Sequence, residues 1–175
     1  MKNTLFSLLV LPLIGFSQQE KSNSAPDYNE YFNQAYQQHP SIPKGILEAV
    51  AYTNTHIQNI THNAGDAESC VGLPYYYGVM GLVLDGKNYF RSNLVTVSQM
   101  SGISEQEIIS SPEKNILAYA AAYAQAQNFF SASGNLPNGK SKTETQIPVL
   151  VYLSELPDNG SLQNNFAMNT NLYSE

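Results

Sequence analysis

Between Gln58 and Asp85 the chain loses every regular hydrophobic period, because Gly65, Gly72, Pro74, Gly78 and Gly81 interrupt any helix of ordinary length. On both sides of that stretch helical spacing is strong. A chain patterned this way reads as mainly α-helical, with a long loop set between its second and third helices. Loops of that length are uncommon inside compact domains and often carry function, so the candidate chemistry is sought here first.

The first helix is predicted in "PDYNEYFNQAYQQ", where Tyr28, Tyr31, Phe32, Ala35 and Tyr36 fall at helical spacing. "HPSIPKGILEAVAYTNTHI" predicts the second, capped at Ser41 or Ile42, with Pro43 in its first turn and Ile46, Leu47, Val50 and Ala51 on one face. It reads as the most apolar helix and therefore the central one. Beyond the loop, "SNLVTVSQMSG" is a short helix stopped by Gly102, and Ser104 followed by Glu107 is a capping box that opens another. Ser111 then caps the longest helix, with Pro112 first and Ile116, Leu117, Ala120, Tyr123, Ala124 and Gln127 carrying it towards Phe130. The run Ala120, Ala121, Ala122 and Ala124 lets a neighbouring helix approach closely. "SASGNLPNGKSKTE" is a linker by composition, and "TQIPVLVYLSEL" is a final helix or a buried strand, its length favouring helix. "GVMGLVL" is a short strand or a tight apolar turn against helix two.

The chain's 175 residues suit one domain. Residues 1–17 read as a signal peptide: Lys2, an apolar run from Leu5 to Phe16, and small residues at Gly15 and Ser17. Export to the periplasm or beyond is expected. Pro12 breaks the run, which falls short of the ~20 apolar residues needed to span a bilayer, so no membrane anchor is expected after removal of the leader. Residues 18–26 read as a polar connector, 27–157 as the domain, and 158–175 as a tail or the start of a linker. The formal charge is −6, and loss of Lys2, the one charge in residues 1–17, makes it −7. With Lys and Arg scattered singly there is no basic stripe for nucleic acid. Cys70 is the only cysteine, which excludes a disulfide within the chain and leaves stability to packing, with 12 Tyr and 7 Phe but no Trp.

Four constellations offer chemistry. His56 and His62, followed by Asp66, Glu68 and Cys70, are possible zinc ligands, but their spacing matches no standard pattern and no metal or other cofactor is expected. Cys70 as a nucleophile lacks surroundings that would activate a thiolate. Glu48, Asp66, Glu68 and Asp85 are the carboxylates from which an acid pair for glycoside cleavage would be drawn. Glu48 falls opposite the buried face of helix two and is expected in solvent. Tyr75, Tyr76 and Tyr77 beside Gly78, with Tyr89 and Phe90 further on, are either a sugar-stacking surface or a loop that packs its own rings on the core.

In order, "IPKGILEAVAYTNTH", "YGVMGLVLDG" and "SPEKNILAYAAAYAQ" resemble the lysozyme-like domain of soluble lytic transglycosylases, over Ile42 to Gln125. In that family the first block ends in Glu-Ser, the second reads close to Gly-Ala-Met-Gly-Leu-Met-Gln, and the third starts with Pro and contains Asn-Ile. Gly78, Met80, Gly81 and Leu82 match the second block, and Pro112, Asn115 and Ile116 match the third. The chain departs at the catalytic position, where Asn54 stands for the glutamate and Thr55 for the serine, and Val83 and Leu84 stand where Met-Gln would follow. An asparagine amide hydrogen-bonds but gives up no proton near neutral pH.

The resemblance implies a lysozyme-like (transglycosylase SLT-like) fold and a groove for peptidoglycan glycan strands lined by Asn54, Thr55, His56, Tyr75, Tyr76, Tyr77, Gly78, Met80 and Gly81. Three readings follow: a domain that binds glycan without cutting it, an active enzyme whose acid is displaced to Glu68, or a helical module that uses the groove for a protein partner. The chain is also similar to degenerate segments upstream of cell-wall amidases of Bacteroidetes-type bacteria, which implies a possible amidase domain downstream.

Overall fold

The computed structural model describes residues 27–63, 66, 74–84, 92–134 and 143–156. The leader, the connector, most of the composition-defined linker, the tail, Glu68, Cys70, Asp85, Tyr89 and Phe90 lie outside the described residues. Six α-helices and a two-stranded hairpin are present among those described. In chain order they are α1 (Asn29–Gln38), α2 (Ile46–Thr55), β1 (Tyr75–Tyr77), β2 (Leu82–Leu84), α3 (Asn93–Ser101), α4 (Glu105–Ser110), α5 (Pro112–Ala132) and α6 (Ile147–Ser154). The mainly α reading holds, and "TQIPVLVYLSEL" is a 3-10 turn running into α6 rather than a strand.

The hub is α5, which packs against α1, α3, α4 and α6. This corrects the expectation that helix two is central. Ala118, Ala120, Ala122 and Ala126 are fully buried along α5, so neighbouring helices approach on more than one side, a role its length permits and the ten residues of α2 do not. The starts of α4 and α5 are as the sequence predicts. Ser104 and Glu107 form the reciprocal capping box, Ser111 Oγ accepts from Lys114 N, and Pro112 opens α5. Gly102 ends α3.

The start of α2 corrects the sequence reading. The helix begins at Ile46, after Gly45 with φ 89°, and no side chain of its own segment caps it. The hydroxyl of Tyr36 on α1 accepts from the backbone N–H of Gly45 (2.9 Å) and Leu47 (3.1 Å) and donates to Glu48 Oε2. A tertiary contact thus satisfies the amides at the start of α2, in place of the local cap at Ser41 or Ile42 that the sequence suggested. Glu48 is correspondingly half-buried beside Tyr36 and not a solvated surface acid. Burial and the Glu48 carboxylate push the Tyr36 phenol far above the usual tyrosine range, so it stays protonated and keeps its donor.

A second tertiary cap closes α3. The Glu155 carboxylate, just past α6, accepts from Ser92 N (2.8 Å) and from Thr96 Oγ1, placing negative charge at a helix N-terminus. Buried Asn93 joins three elements, since its Oδ1 accepts from Val83 N (2.7 Å) and its Nδ2 donates to Leu153 O (2.9 Å). The hairpin is thereby held to α3 and α6.

Candidate functional site

The segment between helices two and three is not loop throughout, which corrects the reading of 58–85. Tyr75–Tyr77 and Leu82–Leu84 pair antiparallel, with Tyr75 opposite Leu84, Tyr76 opposite Val83 and Tyr77 opposite Leu82. "GVMGLVL" is therefore both things considered for it, a tight turn over 78–81 and then a strand. An isolated bridge between Ile60 and Gly78 ties the chain leaving α2 to the same hairpin.

The turn sits on the C-terminal end of α2. Asn54 Nδ2 donates to Met80 O (2.9 Å), and the buried Thr55 hydroxyl lies 2.6 Å from Val79 O and 2.8 Å from Ala51 O. A Cβ on Gly81 would stand 2.7 Å from Asn54 Cβ and 2.9 Å from Thr55 Cγ2, so only glycine admits this approach. On the other side, fully buried Asn115 of α5 accepts from Met80 N (2.8 Å) and donates to Tyr77 O and Ile108 O (both 3.3 Å). One carboxamide thus links the hairpin, α4 and α5. All three blocks of the family resemblance converge here: Asn54 and Thr55 from the first, Gly78, Met80 and Gly81 from the second, Asn115 from the third.

The expected groove residues divide into three groups. Thr55, Gly78, Met80 and Gly81 are buried, so they form the floor under the site and do not face a ligand. Asn54 is half-exposed and His56 exposed, the latter closing α2 at φ 54° with its ring 5.1 Å from that of Tyr52. The tyrosines do not make one wall. Successive strand side chains point to opposite faces, so Tyr75 and Tyr77 share one side and Tyr76, exposed, takes the other.

His62, weighed from sequence as a zinc ligand or as a histidine near Cys70, is the residue that organises the tyrosines. Its ring lies 4.2 Å from Tyr75 and 5.3 Å, edge-on, from Tyr77. Nε2 is 3.0 Å from Tyr76 O, and because a carbonyl only accepts, Nε2 carries the proton. Nδ1 faces Asp66 Oδ2 at 3.9 Å. Asp66 is anchored in turn by Asn63 N (2.6 Å), and Tyr75 donates its hydroxyl to Asp66 O (3.2 Å). Burial, with Tyr75 beside it, raises the Tyr77 phenol pKa, so the Tyr77 ring is a neutral surface with a hydroxyl donor. No period or motif marks His62 for this role, since its partners are brought to it by the hairpin.

Past α2 the backbone is strained. His56 and Ile57 follow one another in the left-handed region at φ 54° and 59°, a conformation that a β-branched residue adopts only when its surroundings enforce it. Ile57 N donating to Ala51 O (3.3 Å) and the packing of Ile57 against the core supply that enforcement. Among the described residues, no cluster of three or more His, Cys, Asp or Glu could hold a metal ion, and no helix is long and apolar enough to cross a membrane.

What the arrangement can do follows from its donors and acceptors. The end of α2 offers an oriented amide and an exposed imidazole, and the hairpin offers the Tyr75 and Tyr77 rings around His62; the first group suits hydrogen bonding and the second stacking with a polar ligand. It offers no carboxylic acid at Asn54. Compared with models of protein families, with curated protein sequences and with solved structures, the chain matches none of them.

Proposed function

We infer that this protein is an exported, lysozyme-like domain that binds peptidoglycan glycan strands at the end of α2 and does not cleave them. The observation that carries the reading is Asn54. It stands where the resembled family has its acid, half-exposed, with its amide nitrogen bound to Met80 O in a turn whose glycines match that family's second block. The convergence of the three matched blocks on this turn supports the lysozyme-like part, and the aromatic groups Tyr52–His56 and His62–Tyr75–Tyr77 support a sugar as the ligand. Without a proton donor at Asn54, the leaving oxygen of a glycosidic bond has no general acid there.

The test is a paired assay on the full chain: sedimentation with insoluble peptidoglycan, and release of soluble muropeptides, for wild type, Asn54→Glu and Glu68→Gln. Sedimentation without release, unchanged in Glu68→Gln, is expected. Release that Glu68→Gln abolishes would replace this reading with an active enzyme whose acid is displaced. A protein-interaction module is favoured by a separate feature, the aromatic group Phe129, Phe130 and Tyr152, in which Phe129 is 64% exposed. Failure of wild type to sediment would make that the better account.

A further inference from the structure

We propose that Asn54 Oδ1 is a ligand-binding acceptor that recognises a proton-bearing group of the sugar, either a ring hydroxyl or an acetamido N–H. The inference rests on the glycan reading and specifies what the former acid position does in place of catalysis.

The orientation of the amide is fixed by bonding. Met80 O accepts only, so the Asn54 atom 2.9 Å from it is the nitrogen, and the oxygen is the other end. Gly81 packs against Asn54 Cβ from the same turn, with no room for even a methyl group between them. The side chain is thus held at both Cβ and Nδ2. Oδ1 accepts no hydrogen bond among the described residues, while the residue stays half-exposed.

An immobilised acceptor that water reaches is open to a ligand donor that takes the water's place. A glycosidic oxygen and an acetamido carbonyl carry no proton and cannot satisfy it. Hydroxyls and the acetamido N–H can. An acid at this position would act on the bridging oxygen, whereas Oδ1 reads a neighbouring substituent, so recognition continues where cleavage has no agent. Because the amide is already held, little rotamer entropy is lost on binding.

The experiment measures binding of the full chain to chito-oligosaccharides and cello-oligosaccharides of equal length, for wild type, Asn54→Leu and Asn54→Asp, with thermal midpoints as the folding control. Asn54→Leu is expected to weaken binding about tenfold, the scale of one hydrogen bond with a donor left unpaired. Asn54→Asp keeps an acceptor oxygen and is expected to retain most of the binding. If Asn54→Leu removes a preference for the chito ligand, the donor is the acetamido N–H. If both ligands weaken equally, it is a hydroxyl. A folded Asn54→Leu that binds both sugars like wild type overturns the proposal and leaves the glycan reading intact. Asn54→Asp losing as much as Asn54→Leu also overturns it, because the bond to Met80 would then be what matters. Wild type that binds neither sugar nor sediments with peptidoglycan overturns both.

Discussion

The carboxamide of Asn115 occupies the space that a side chain at Gly78 would fill: a Cβ built on Gly78 would lie 2.1 Å from Asn115 Nδ2. The hairpin turn and the longest helix are therefore fitted to each other at a single atom's width, and the N–H of Met80 donating to Asn115 Oδ1 locks the fit.

Gly78 and Gly102 share the same backbone angle, φ +72°, yet a Cβ at Gly102 meets nothing within 4 Å. Alanine at Gly102 should cost about 1 kcal/mol, the conformational part alone. Alanine at Gly78 should cost about 2–4 kcal/mol, because the clash with a fully buried partner is added. Urea denaturation of the two variants checks the difference. Equal losses would mean that Asn115 yields freely.

Tyr36→Phe removes one oxygen and strips Gly45 N and Leu47 N of their acceptor at the start of α2 while leaving the ring in the core. A loss of about 1–3 kcal/mol is expected. Amide hydrogen exchange should quicken at Gly45 and Leu47 ahead of the rest of α2. Unchanged exchange there would refute the capping role.

His56 spends its left-handed conformation at an exposed helix end where glycine is ordinarily preferred. His56→Gly should raise stability by about 0.5–1 kcal/mol, the relief of strain less the ring contact with Tyr52. If the glycan reading holds, the same variant should sediment less with peptidoglycan. A stability gain accompanied by undiminished sedimentation would remove His56 from the ligand contacts.

His39, which ends α1, is partly buried, and burial lowers its pKa below the ordinary value of 6.5. The unfolded chain therefore takes up its proton at higher pH than the folded one. The stability that rests on neutral His39 is present above about pH 6.5 and is lost as pH falls from there through the lowered folded value. His39→Gln should flatten that part of the acid limb in chemical denaturation series at stepped pH. An acid limb identical in wild type and variant would contradict the shift.

Local signals carried much of the fold. The capping box at Ser104 and Glu107, the Ser111–Pro112 start of α5 and the stop at Gly102 are written in single residues or residues no more than three apart, so they are legible without tertiary context. The start of α2 is not, because its cap comes from Tyr36, nine residues before Gly45. The same applies to Glu48. Helical periodicity put it in solvent, whereas its Tyr36 partner on another helix leaves it half-buried. For the candidate site, Asn54 and the glycine turn could be picked out by motif, whereas His62 could not, since only the pairing of β1 with β2 brings Tyr75 and Tyr77 round it.

By itself the sequence determined the number and order of most helices, the break between the second and third, and an amide rather than an acid at Asn54. Those are matters of hydrophobic period, capping chemistry and residue type, all local in the chain. Only the tertiary structure decided that α5 is the hub, that Tyr75 and Tyr77 part from Tyr76, and that Asn54 turns its nitrogen to Met80 and leaves its oxygen without a partner among the described residues. Strand pairing and long-range hydrogen bonds join residues far apart in sequence, and no short-range pattern encodes which partner each buried polar atom will find.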